Sequence, residues 1–110
     1  MKINEIIKTL ECDVLVEGGS QDVLDGYTSD LLSDVMGNCP EGGVWITIQR
    51  HMNVIAVAQL KRIAAIILVN NSTPDETVIE RAKEEGIHIL CTKLNAFQVS
   101  GKVYNLFQSQ

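Results

Sequence analysis

The sequence predicts one three-layer α/β domain: a mainly parallel sheet of about five strands with helices on both faces. Two observations carry the prediction. Val44-Trp45-Ile46-Thr47-Ile48 and Ala64-Ala65-Ile66-Ile67-Leu68-Val69 are nearly continuous apolar runs, the pattern of strands covered on both sides. A helical stretch from about His51 to Arg62 separates them, so strand, helix and strand form the crossover unit from which parallel sheets are built.

The elements follow in order. Ile3, Ile6, Ile7 and Leu10 share one face of an opening helix. Asp13-Val14-Leu15-Val16-Glu17 is a short strand, stopped by Gly18-Gly19, whose tolerance of positive φ suits a turn. Val23-Leu24-Asp25-Gly26-Tyr27 is a weaker strand. Ser29 is placed to cap a short helix with Asp30 in its first turn, Leu32, Val35 and Met36 inward, and Gly37 at its end. Pro40-Glu41-Gly42-Gly43 turns the chain into the central strand. In the helix that follows, apolar residues occupy most of the circumference between Met52 and Ile63, which predicts burial and a surface for a second subunit.

After the second apolar run, Thr73-Pro74-Asp75-Glu76 reads as a helix start with Thr73 as N-cap, Pro74 first and Glu76 completing a capping box. Val78, Ile79 and Ala82 form its buried stripe and Gly86 ends it. Ile87-His88-Ile89-Leu90-Cys91 is the last strand. Asn95 caps a final helix whose Val99, Val103, Leu106 and Phe107 share a face.

Composition excludes several classes. With 110 residues, 45% hydrophobic and 21% charged, the chain suits a single globular domain over residues 1–110. A formal charge of -5 and the lack of basic clusters argue against nucleic-acid binding. The longest apolar run, Ile63 to Val69, is far shorter than a bilayer span. The first residues run straight into an amphipathic pattern with no signal-peptide core, so a cytoplasmic location is expected. Cys12, Cys39 and Cys91 form no CxxC pair and read as reduced, mostly buried thiols; no metal or cofactor is expected.

In parallel sheets, ligands gather outside the carboxyl ends of the strands. This chain places Thr28, Ser29 and Asp30 there, then Gln49, Arg50, His51 and Asn53, then Asn70, Asn71, Ser72 and Thr73, and last Thr92, Lys93 and Asn95, with Thr47 at the end of the central strand. A small anionic or nucleotide-like effector would be held by loop amides with Arg50 and Lys93. The same residue types are the usual helix caps, so two roles compete at this edge. No P-loop or GxGxxG accompanies them. An acid-base pair of Asp30 or Asp34 with His51 would suit a small hydrolase or transferase, the alternative function. Asp25, Asp30 and Asp34 could form a hard-cation cluster, but turn, cap and exposed helix face are the simpler reading. His88 lies within a strand pattern, and Trp45 within the central strand is expected in the core.

The stretch Gly26-Tyr27-Thr28-Ser29-Asp30-Leu31-Leu32-Ser33-Asp34-Val35-Met36, the run from Val44 to Gln49, and the run from Ala64 to Asn71 followed by Pro74-Asp75-Glu76 carry a family resemblance. Over almost its whole length the chain resembles a small standalone member of the DRTGG-domain family, and it is similar to the N-terminal domain of HPr kinase/phosphorylase. The string that names the family is absent, and Gln49-Arg50-His51 stands where many relatives have a Gly-Asp-Arg-like corner. Related domains accompany CBS pairs in some regulated pyrophosphatases and precede the catalytic part of some phosphate acetyltransferases. The resemblance implies a bacterial regulatory or assembly module whose catalysis lies elsewhere. Standalone relatives near iron-hydrogenase or redox-signalling genes imply a protein partner in redox, hydrogenase or kinase signalling. The expected function is thus a non-catalytic homodimer that binds a partner protein or a small effector, with the Gln49-Arg50-His51 corner facing Asn70-Asn71 as the first place for a ligand.

Overall fold

The two apolar runs at the centre of the sequence become neighbouring parallel strands in which every residue is buried. The structure, a computed structural model, describes residues 1–19 and 22–110. Its elements are α1 (Ile3–Leu10), β1 (Asp13–Val16), β2 (Asp25–Thr28), α2 (Leu32–Asn38), β3 (Gly43–Thr47), α3 (Met52–Leu60), β4 (Ala65–Leu68), α4 (Glu76–Glu85), β5 (His88–Cys91) and α5 (Ala96–Gln108). Helices and strands follow one another in the predicted order.

The sheet has five strands in the order β1-β5-β4-β3-β2. β2 to β5 are parallel, whereas β1 lies antiparallel on β5 with an irregularity between Val14 and Val16. β1 and β2 are therefore opposite edges. At the amino ends of the parallel strands, Gly19 N–H donates to the Gly86 carbonyl and Leu24 N–H to that of Gly42.

Two apolar layers sandwich the sheet. Trp45, Ile66, Leu68 and Ile89 pack with Val35 of α2, Val54 and Ile55 of α3, and Val78 and Ala82 of α4. On the other face Val44, Ile46, Ala65, Ile67 and Leu90 pack with Ile3, Ile6 and Leu10 of α1 and with Val99 and Val103 of α5. Three helices thus cover one face and two the other. Trp45 is fully buried, and its indole N–H donates to the Ser29 carbonyl at 2.8 Å.

Local chemistry moved several boundaries. α4 begins after Asp75, not Thr73: the Asp75 carboxylate accepts the Val78 N–H at 3.2 Å and the Thr77 hydroxyl at 2.6 Å. Asp is the stronger cap, so Thr73 and Pro74 stay outside the helix. α2 begins after Leu31, not Ser29, because Asp30 is held at the end of β3 as described below. Gly37 lies inside α2, and Met36 is 39% exposed instead of facing inward. Gly18 and Gly19 do not have positive φ. Gly18 is required by close approach instead: a Cβ there would lie 2.4 Å from the Gly86 carbonyl oxygen and 2.5 Å from the His88 nitrogen. Gly86 does close α4 in the left-handed region, and Asn95 caps α5 in a capping box with Gln98.

Candidate functional site

All the polar residues expected at the carboxyl edge of the sheet are there, and most are bound to the chain itself. Thr47 ends β3 with its side chain buried, and its hydroxyl donates to Asp30 Oδ1 at 2.8 Å while accepting the Gln49 N–H at 3.1 Å. The same Asp30 oxygen accepts the Ile48 N–H at 3.0 Å, and the Gln49 amide donates to the Asp30 carbonyl at 3.1 Å. Asp30, Thr47 and Gln49 form one clasp that ties the β2–α2 turn to the end of β3. Ser29 Oγ accepts the Leu31 N–H at 3.2 Å.

The next corner follows the same pattern. Arg50 donates from Nη1 to the Thr73 carbonyl at 3.1 Å, and the Ser72 hydroxyl donates to the Ile48 carbonyl at 2.9 Å. Asn70 and Asn71 both have φ near 55°, a tight left-handed turn that Asn tolerates. Their N–H groups donate to the Leu94 and Thr92 carbonyls, each at 2.9 Å. The buried Thr92 hydroxyl donates to the Leu10 carbonyl and accepts the Leu94 N–H. The cavity beneath Gln49 and Arg50 measures about 10 Å³, room for about one water.

His51 and Asn53 sit exposed at the start of α3, and the His51 side chain makes no capping bond. The Thr77 hydroxyl and the Val78 N–H hold the Asp75 carboxyl below the usual carboxylate range, with a smaller pull from His51. Asp30 instead faces Thr47, whose hydroxyl donates to it. Bonds from Ser29 and Tyr27 likewise lower Asp34. Among the described residues, no group of three or more His, Cys, Asp and Glu side chains is placed to hold a metal ion. Burial pushes the Cys12 thiol up to about 12 and that of Cys39 to about 11, so both are poor nucleophiles near neutral pH. His88 is buried, and its Nδ1 accepts the Gly18 N–H at 2.8 Å.

Topology explains why this edge closes on itself. A ligand crevice in an open α/β sheet forms where the strand order reverses and neighbouring crossover helices diverge to opposite faces. Here β2, β3, β4 and β5 follow in one direction, and α2, α3 and α4 all lie on one face. The parallel strands have no switch point.

Open space flanks these contacts. A groove of about 440 Å³ runs between α5 and the edge strand β2, floored by Gly26 and Ile46 and walled by Phe97, Gly101, Tyr104 and Phe107, with Asp25 and the Thr28–Ser100 hydroxyl pair (2.7 Å) at its margin. Two further clefts reach the carboxyl edge: one of about 430 Å³ between the starts of α3 and α4, lined by Met52, Glu76, Thr77 and Arg81, and one of about 420 Å³ that holds Lys93 and Lys102 with Thr9 and Glu11. Sequence reasoning passed over the groove. The signal was the second stripe of α5, Phe97, Gly101, Tyr104 and Gln108 at i, i+4, i+7 and i+11, beside the apolar stripe that anchors the helix.

These features define a class: a small mixed-sheet α/β module whose strand-end side chains serve its own loops. The chain belongs to the DRTGG domain family, whose sequence profile matches residues 5–106. Among solved structures it is similar to the CBS and DRTGG domains of the regulatory region of Clostridium perfringens pyrophosphatase, complexed with the activator diadenosine tetraphosphate. That likeness has a TM-score of 0.74 at 16% identity and covers 93% of this chain. This chain spans 45% of that regulatory-region chain. No curated protein compared with it matches. Among the described residues, no helix is long and apolar enough to cross a membrane.

Proposed function

We propose that this chain is a non-catalytic regulatory module that binds a small effector and transmits its presence to a partner surface, working as a homodimer. Its family and its likeness to an activator-bound regulatory region support the regulatory reading. The observation that carries it is that the central side chains of the carboxyl edge are engaged by the chain itself. Asp30, Thr47, Gln49, Arg50, Ser72 and Thr92 hold backbone and one another, whereas the roomy groove beside α5 is lined by apolar and aromatic side chains suited to binding. Self-association has its support on α3: Val54, Ile55, Val57 and Ala58 are buried, but Met52 is 41% and Leu60 71% exposed, an outer face that a second copy would cover. A partner protein in redox, hydrogenase or kinase signalling would read the resulting state.

A thermal-shift screen of nucleosides, nucleotides and phosphorylated metabolites tests the effector part, because a ligand that binds only the folded state raises the melting temperature. At least one compound is expected to raise it in a dose-dependent way. A flat screen would remove the effector and leave only protein binding. Light scattering tests the dimer: a mass twice that of the chain is expected, and a monomer at high micromolar concentration would contradict it.

A further inference from the structure

The groove between α5 and β2 combines features that a merely unfilled surface would not need. Gly101 stands in the middle of a helix of 13 residues, where glycine costs stability, yet among the described residues a Cβ there would meet nothing within 4 Å. No packing requirement accounts for it. On the facing strand Gly26 has a φ outside the left-handed region, and a Cβ there would make only ordinary contacts at 3.6 Å. Glycine inside a strand often marks the close approach of a ligand. Both glycines line the same groove.

Its walls are aromatic. Phe97 and Tyr104 flank Gly101 on one stripe of α5, with their Cα atoms separated by a helical rise of ~10 Å. They are 87% and 67% exposed, a large apolar surface to leave in water. An aromatic side chain on each side of a glycine offers a flat group a ring to stack on. Charge narrows the class further. Among the described residues no Lys or Arg lines the groove, so an anionic group finds no cation there. Asp25 at the margin has Oδ1 engaged by the Gly26 N–H at 2.8 Å, and among the described residues no hydrogen bond reaches Oδ2. That oxygen can accept an N–H from an incoming ligand.

We infer that the groove is the effector site and that it takes a planar nitrogen heteroaromatic ring bearing N–H donors, of the aminopurine kind, stacked over Gly101 between Phe97 and Tyr104 and hydrogen-bonded to Asp25. The inference rests on the effector-binding reading above and specifies its site and ligand class. Any phosphate carried by the ligand lies outside the groove, so a nucleoside suffices.

Isothermal titration calorimetry with adenosine tests it, using the full chain and three variants. Wild type is expected to bind. Phe97→Ala, at an exposed position that the core does not need, should weaken binding about tenfold through the loss of one stacking ring. Gly101→Leu should abolish binding by filling the slot while leaving the melting temperature equal or higher, since the helix loses its glycine. Arg50→Ala, at the carboxyl edge, should bind like wild type. Binding that survives Gly101→Leu, or that Arg50→Ala removes, would overturn the inference while leaving the regulatory reading intact. The inference also fails, alone, if another compound from the thermal-shift screen binds and adenosine does not. If nothing in the screen binds, the effector-binding reading fails with it and only protein binding remains.

Discussion

Replacing Thr47 with Val tests whether the carboxyl-edge clasp is structural. The two side chains have nearly the same shape, so the substitution removes the hydroxyl and little else. That hydroxyl donates to the charged Asp30 Oδ1 at 2.8 Å and accepts the Gln49 N–H at 3.1 Å, from a side chain that is 1% exposed. Hydrogen bonds to charged groups contribute about 1.5–3 kcal/mol, and neutral ones about 1 kcal/mol. Asp30 is exposed, so water takes up part of its loss, and the β-preference of Val returns a few tenths. The expected net cost is about 2 kcal/mol, or a fall of ~9 °C in melting temperature for a chain of this length. Urea unfolding followed by the fluorescence of the buried Trp45, with circular dichroism as a second probe, measures it. Thr47→Ser is the control: it keeps the hydroxyl and loses a methyl, at a cost of about 1 kcal/mol. Val is therefore expected to be the more damaging change, with effector affinity of the folded variant unaltered. A Thr47→Val protein as stable as wild type would refute the structural role of the clasp.

Three further outcomes follow from particular contacts. Gly18→Ala should destabilise by about 3 kcal/mol, because the new Cβ would lie 2.4 Å from the Gly86 carbonyl oxygen and backbone on both sides must shift; chemical denaturation reads it. Asn95→Ala should cost about 1 kcal/mol in the same assay through loss of the cap that accepts the Gln98 N–H at 2.9 Å. The Cys12 thiol is raised by burial first, then by Cys91 and Asp13, from 9.0 to about 12, so folding favours its protonated form. That contribution is complete below pH 9.0 and is lost as pH rises from there to about 12, so wild type should lose more stability than Cys12→Ala between neutral pH and about pH 10.5. Equal losses in the two proteins would contradict this.

What the sequence makes legible follows from how locally each signal is written. Continuous apolar runs identify β3 and β4 because a doubly covered strand needs no partner information to be recognised. Gly86 and Asn95 could be placed because their roles depend on adjacent residues alone. Thr73 and Ser29 were misplaced as caps because a stronger neighbour or a distant bond decides the helix start: Asp75 in one case and the clasp of Asp30 onto Thr47 in the other. Gly18 could not be explained from sequence, since the strand it nearly touches lies 70 residues away. For the candidate site, the residues of the carboxyl edge were legible as a group. Their engagement with one another was not, because it depends on the strand order, and no spacing along the chain records that β2 to β5 follow in one direction. The groove escaped notice because Phe97 and Tyr104 read as an ordinary surface stripe until β2 lies beneath them.

The central claim, that ligand recognition belongs to the α5–β2 groove and the carboxyl edge is scaffold, is tested most directly by amide chemical-shift mapping during an adenosine titration. Shifts concentrated at residues 97–104 and 25–28, with residues 49–53, 70–73 and 92–95 unmoved, are the expected result. Saturable shifts centred on those carboxyl-edge residues, with the groove silent, would contradict it.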